Sequence, residues 1–283
     1  MKLNKVLTVI FLLTLISYSL AQVDTAWVRR FNGSGSGADI AKALAVDNWG
    51  NVYVAGSTVG LTTGLDWTVI KYNSNGDTDW VRYFISPGDT NEEANALAVG
   101  NSGNIYVTGY AMGPDSFDFL TIKYSPTGET LWTQRFDNIL ETGIDIAVAI
   151  TLDGAENVYV TGYTEGGAGP DYDYFTVKYN SVGVFQWARI YDSGANRRDV
   201  PKAIRVDGVG NVYVTGSSNT VGFDDYDYTT KKYGPNGEER WAMPYNGSAN
   251  RADIANALAV DISRIQQCYY HEGHKRRALV DKR

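Results

Sequence analysis

Asp207-Gly208-Val209-Gly210-Asn211-Val212-Tyr213-Val214-Thr215-Gly216 decides the fold. An acid and a glycine frame a tight turn, β-branched and aromatic residues follow, and a second glycine ends the run; this is a hairpin feeding a strand. The same strand returns as Asn51-Val52-Tyr53-Val54, Asn104-Ile105-Tyr106-Val107 and Asn157-Val158-Tyr159-Val160. Working outward, Lys-Tyr recurs at 71–72, 123–124, 178–179 and 232–233. Trp27, Trp80, Trp132, Trp187 and Trp241 follow one another at spacings of 53, 52, 55 and 54. Three landmarks in step define a repeat of about 53 residues.

Each unit holds four short β-type runs, in the first unit 40–46, 51–55, 66–72 and 80–84, with polar turns at 47–50 and 73–76. No amphipathic helical period survives beyond two turns. Four antiparallel strands per unit match one propeller blade. The expected fold is therefore all-β, a beta-propeller of four-stranded antiparallel blades at 40–84, 93–136, 146–191 and 200–245. A partial fifth unit runs over 254–261, and an orphan outer strand over 27–31. In the first run Ala41, Ala43 and Ala45 are expected to share a face, a pattern repeated at Ala94, Ala96 and Ala98 and at Ala255, Ala257 and Ala259. Small residues suit an innermost strand near the axis, and the Trp strand then lies outermost.

The D-x-x-G-N-V-Y-V-T-G core, the D-Y-x-x-x-K-Y strand and the G-x-x-x-W turn resemble the seven-bladed beta-propeller repeat (SBBP) family of secreted bacterial proteins, over about residues 26–261. The resemblance implies a propeller in an exported protein and transfers no catalytic residue. Four whole units and part of a fifth fall short of seven blades, so the propeller is expected to be open or incompletely closed.

Composition narrows the function. The 283 residues carry 25 basic and 32 acidic groups, a net charge of −7. Residues 22–261 hold 17 basic and 30 acidic groups, which argues against nucleic-acid binding by this body. Cys268, His271 and His274 are the only thiol and imidazoles, so residues 22–261 exclude disulfides, Cys/His metal sites and Ser-His or Cys-His catalysis. Residues 1–21, with Lys2 and Lys5 before an apolar run and Ser19-Leu20-Ala21 before Gln22, read as a secretory signal peptide rather than a membrane anchor. The expected location is secreted, extracellular or at the cell surface, with the periplasm as a variant and no membrane span after cleavage.

After Asp261 charge sign, cysteine use and histidine use all change. Residues 262–283 read as an off-pattern basic tail, expected to be weakly ordered, from a shifted or broken reading frame; a genuine basic tail is the alternative, and sequencing the locus decides between them. The run 27–31 is able to close the fifth unit beside 254–260.

Asp66, Asp118, Asp173 and Asp227 open the third strand of each unit, with Asp115, Asp171, Asp224 and Asp225 nearby. Clustered carboxylates suit calcium, but recurrence in every unit and the lack of a D-x-D-x-D-G loop favour a structural role. Asp47, Asp153, Asp207 and Asp261 precede the hairpin and read as turn caps, which the second unit, with Gly100 there, does without. Gly56, Gly109, Gly162 and Gly216 read as sites of close strand approach or a bulge. The five recurring tryptophans read as core or inter-blade packing rather than a sugar platform. Cys268, His271 and His274 have zinc-type donors outside the repeat, and 32–34 and 246–248 are sequons by letter.

No metal, cofactor or catalytic residue is assigned. The function expected is a secreted, non-enzymatic scaffold or binding module for a protein or glycan ligand, with loops 111–117 and 164–172 as the segments most distinct between units. The alternatives are a propeller-type enzyme, since the G-x-x-x-W turns loosely resemble quinoprotein repeats, and an inactive truncated fragment.

Overall fold

The computed structural model describes residues 25–35, 37–60, 64–87, 91–137, 143–166, 171–194, 198–219, 226–248, 252–261, 267–272 and 275–280. Residues 1–21, expected to be a leader, lie outside them. Every regular element among the described residues is a β-strand. Blade 1 consists of β1 (Ile40–Val46), β2 (Val52–Val59), β3 (Leu65–Tyr72) and β4 (Thr78–Phe84). Blade 2 holds β5 (Glu93–Val99), β6 (Ile105–Met112), β7 (Phe117–Tyr124) and β8 (Thr130–Phe136). Blade 3 holds β9 (Asp145–Leu152), β10 (Val158–Gly166), β11 (Asp171–Tyr179) and β12 (Phe185–Tyr191). Blade 4 holds β13 (Asp199–Val206), β14 (Val212–Ser218), β15 (Asp227–Tyr233) and β16 (Glu239–Tyr245). Each blade is an antiparallel meander in sequence order.

The fifth unit is a three-stranded sheet of β17 (Ala259–Val260), β18 (Gln267–Glu272) and β19 (Lys275–Val280). Within residues 262–283 β18 and β19 pair antiparallel, and Cys268 lies opposite Val260 and Tyr269 opposite Ala259. His274 lies outside the described residues.

First strands of successive blades pack on one another, β1 with β5, β5 with β9 and β9 with β13, which puts them innermost. A bulge modifies the alternation expected there. Ala41 lies opposite Gly56 and Ala43 opposite Ala55, so Lys42 is extra and the two alanines take consecutive positions facing β2 rather than alternate ones. Each later blade repeats the irregularity at its glycine. The extra residue turns to the next blade: Lys42 Nζ meets Glu93 Oε2 at 2.7 Å, and Asn95 Nδ2 donates to the Ala147 carbonyl at 2.9 Å.

The core lies between blades. Tyr53, Ala55, Trp67 and Val69 of blade 1 pack on Ile105, Val107, Leu120 and Ile122 of blade 2, and equivalent sets join the later blades. Because a middle blade is covered on both faces, β14 and β15 are buried at every residue.

The tryptophans lock these seams. Trp80 lies between Tyr53 of its own blade and Tyr124 of the next, Trp132 between Tyr106 and Tyr179, and Trp187 between Tyr159 and Tyr233. Their indole N–H groups donate across the seam to the carbonyls of Pro126, Ser181 and Pro235, at 3.1, 3.3 and 3.2 Å. In the G-x-x-x-W turn the glycine therefore serves the tryptophan of the preceding unit: a Cβ on Gly128, Gly183 or Gly237 would lie within 3 Å of Trp80, Trp132 or Trp187.

Candidate functional site

The two ends of the blades carry different chemistry. At one end lie the hairpin turns, where Asp47 Oδ1 accepts the N–H groups of Trp49 and Asn51 (2.9 Å each) and Oδ2 accepts Asn51 Nδ2 (2.8 Å) and the Tyr53 hydroxyl (3.1 Å). Asp153 and Asp207 repeat this set. Burial pushes the Asp47 carboxyl upward, but bonds from Asn51, Trp49 and Tyr53 outweigh it and hold it below 3.8.

Blade 2, with Gly100, does not go without a carboxylate. Glu156 of blade 3 reaches across, accepting Ser102 N and Oγ at 2.7 Å each and the Tyr106 hydroxyl at 2.8 Å. A side chain at 100 would collide with it: a Cβ there lies 2.5 Å from Glu156 Oε1. Glu156 stands at φ 59°, the one positive-φ residue other than glycine among those described, at the turn position held elsewhere by Gly50, Gly103 and Gly210. An unfavourable backbone conformation is thus offset by a relay of bonds to the neighbouring blade.

Burial raises the Glu156 carboxyl, but Ser102, Tyr106 and Lys123 outweigh it and hold it below 4.5. A carboxyl held low in the folded state adds stability above its unfolded value, and this is lost as pH falls through the folded value. Glu156→Gln is expected to cost about 1 kcal/mol at neutral pH, and to lose less stability than the parent on acidification below 4.5. Urea unfolding at two pH values reads both; parallel pH profiles for the two proteins would refute the relay.

The opposite end carries the strand-two-to-three loops and the connections between blades. Asp66, Asp118, Asp173 and Asp227 lie there, all buried. A second acidic series, missed in the sequence, joins them at the same period of about 53: Asp39, Glu92, Asp145 and Asp199 at the start of the first strands of blades 1 to 4, and Asp253 six residues before β17. That period was the available signal. Asp39, Asp199 and Asp253 each accept a backbone N–H from six residues earlier, from Gly33, Ser193 and Gly247, and so tie down the incoming connection.

The two series meet at the seams. Carboxylates of Asp118, Asp137 and Asp145 lie within 4.8 Å of one another, as do those of Asp173, Asp192 and Asp199. Burial raises the Asp118 carboxyl against Arg135, whose Nη1 lies 3.1 Å from it. Burial likewise raises Asp199 against bonds from Ser218, Ser193 and Asn219. Three carboxylates would suit a hard cation but fall short of the six to eight oxygens calcium takes, and Arg135 already serves the first cluster.

Aromatic pairs distinguish blades 2 and 3 at this end. Tyr110 and Phe117 close one hairpin edge-to-face at 5.1 Å, and Tyr163 and Tyr172 the next at 5.0 Å. All four rings are half-buried. Burial raises the Tyr110 phenol, and the charges of Glu93 and Tyr163 add to it. Arg198 of blade 4 stacks over Tyr172 at 5.1 Å. Ser116 Oγ donates to the Gly143 carbonyl at 2.6 Å, fixing the blade 2 loop to the connection into blade 3. β10 and β11 are each nine residues long, against seven for β14 and β15 of blade 4. Residues 167–170 of the 164–172 loop lie outside the described set.

The match to a family model agrees with the architecture. A beta-propeller repeat model, SBBP, matches residues 26–61 and 186–224. Each match begins beside a tryptophan and crosses into the following blade, so the sequence repeat straddles two structural blades. An uncharacterized WD repeat-containing protein of Acanthamoeba polyphaga mimivirus is 24% identical over 77% of this chain, and the chain spans 16% of that relative's length. Solved structures similar to it include an endo-arabinase of Bacteroides thetaiotaomicron, at a TM-score of 0.45 and 12% identity over 89% of this chain and 96% of that one. Another is PorZ, a surface component of the type-IX secretion system of Porphyromonas gingivalis, at 0.45 and 14% over 84% and 31%. Identities of this size carry no activity across. The chain carries the beta-propeller repeat of the SBBP type and folds from it as an open propeller.

Proposed function

We propose that the protein is an exported, non-enzymatic binding module whose ligand, a protein or a glycan, docks on the aromatic rim of blades 2 and 3. The observation that carries this reading is that successive blades each carry a half-buried aromatic hairpin at the same end, Tyr110/Phe117 on blade 2 and Tyr163/Tyr172 on blade 3, the second edged by Arg198 and both blades bearing carboxylates there. Aromatic faces beside fixed polar groups suit sugar rings and interface anchors alike. The rest of each blade repeats its neighbours and acts as a rigid support, with the differences gathered in loops at one end. Export rests on the leader pattern at 1–21. No helix among the described residues is long and apolar enough to cross a membrane.

The test is an array of glycans and surface proteins probed with the chain and with Tyr172→Ala. A ligand bound through this rim should lose at least about tenfold in affinity, or 1.4 kcal/mol, on losing one aromatic anchor. Equal binding by both proteins, or turnover of any array glycan by the parent, would overturn the proposal.

A further inference from the structure

Between successive blades one contact recurs: small residues of one first strand pack on large residues of the next. Ala43 lies on the cluster holding Leu97 and Val99, Ala96 and Ala98 on that holding Ile150 and Leu152, Ala149 on that holding Ile204 and Val206, and Ala203 on that holding Leu258 and Val260. The series leaves one half-contact at each end. Blade 1 offers the large side, and among the described residues no small strand covers it: Leu44 is 64% exposed and Val46 55%, although their counterparts are partly or fully buried. The fifth unit offers the small side, with Ala257 and Ala259 exposed on the face opposite Leu258.

A cavity of about 450 Å³ lies on the open face of blade 1, and its described lining comes entirely from residues 27–72. Among the described residues, none of the chain's own fifth unit lines it. The outer edge of that seam is already made. Trp27 Nε1 donates to the Ser74 carbonyl at 3.3 Å, its ring covers Gly76, and Arg29 stacks on it at 5.9 Å. Trp80 and Arg82 meet Pro126 and Gly128 in the same way. Residues 27–31 thus stand where the outermost strand of a preceding blade would stand, and β1 to β3 wait for its inner strands.

We infer that this face receives the fifth-unit sheet of a second copy of the chain, Ala257 and Ala259 of one copy packing on Leu44 and Val46 of the other, so that copies associate head to tail. The occupant follows from continuity: the same surface, four times over within the chain, is covered by the small side of a blade of this repeat. Donor and acceptor patches differ, so the contact is heterologous.

Light scattering on the whole chain over a wide concentration range tests it. The mass should rise with concentration, and Leu44→Glu and Ala257→Glu should each remain monomeric. Both positions are exposed, so neither change disturbs the fold, which circular dichroism verifies. Mixing the two variants should restore a dimer, because one keeps an intact donor face and the other an intact acceptor face. A parent that stays monomeric at every concentration overturns the inference, self-closure included. So does an Ala257→Glu variant that dimerises alone, since that means blade 1 meets blade 1, and so does a mixture that does not associate.

Discussion

Trp187→Ala is expected to destabilise the protein by about 3–5 kcal/mol, the range for deleting a large buried aromatic. The ring is 6% exposed and joins blades 3 and 4 rather than filling one of them. It lies 6.3 Å from the Tyr159 ring and 6.0 Å from that of Tyr233, donates to the Pro235 carbonyl, and carries Arg189 on its face at 5.8 Å. Arg189 in turn donates Nε to the Gly237 carbonyl at 2.6 Å. Removing the indole leaves two tyrosines, an arginine and a carbonyl around a void. Equilibrium urea unfolding measures the loss, with Trp187→Phe retaining the ring contacts but not the N–H donor and falling between parent and alanine. A loss below about 1 kcal/mol, the level of an ordinary surface-to-core average, would mean the seams are held elsewhere.

Gly162→Ala should cost about 3 kcal/mol, at the upper end for overpacking, because the atoms in the way belong mainly to backbone. A Cβ at 162 would overlap the Ile146 carbonyl oxygen and lie 2.7 Å from Ala147 Cα and 2.6 Å from Phe119 Cζ. Strand β9 would have to move away from β10 at its bulge, where Gly162 lies opposite Ala147. Tyr163 of the aromatic rim is the next residue, so ligand affinity should fall along with stability. Gly154→Ala is the control: nothing stands within 4 Å of its Cβ position, and the change is expected to be neutral or to stabilise by about 0.4–1 kcal/mol through the unfolded chain. Equal melting temperatures for the two variants would show that the glycine series is not required for close approach.

The strands, turns and seam tryptophans were legible because each is local and is written several times at one period. Blade interiors follow from residues such as Tyr213 and Val214, whose β preference and hairpin agree with the tertiary outcome. What escaped was relational. Gly100 read alone as a missing cap; only the packing of blade 2 on blade 3 shows that Glu156 replaces it. The trace was two departures in adjoining units, no acid at 100 and no glycine at 156, which gain meaning only together. Ala41 and Ala43 were assigned one face because strict alternation assumes an unbroken ladder, and the bulge at Lys42 breaks it. The aromatic rim was legible in part: Phe117 and Tyr172 fall within the singled-out loops 111–117 and 164–172, but their partners did not stand out. Tyr110 and Tyr163 differ from their counterparts in blades 1 and 4 by side chain alone, and β periodicity is blind to that.

The Glu156 relay has a bearing on how such arrays change over time. Tandem repeats are gained and lost by unequal recombination, and most units, carrying their own acid as Asp47 and Asp207 do, tolerate a new neighbour. The second and third do not. A crossover that brought an ordinary unit in behind Gly100 would strand that hairpin, and one that set Glu156 beside a resident aspartate would force two anions onto one site. These two units are therefore expected to travel through duplication and deletion as a single inherited block.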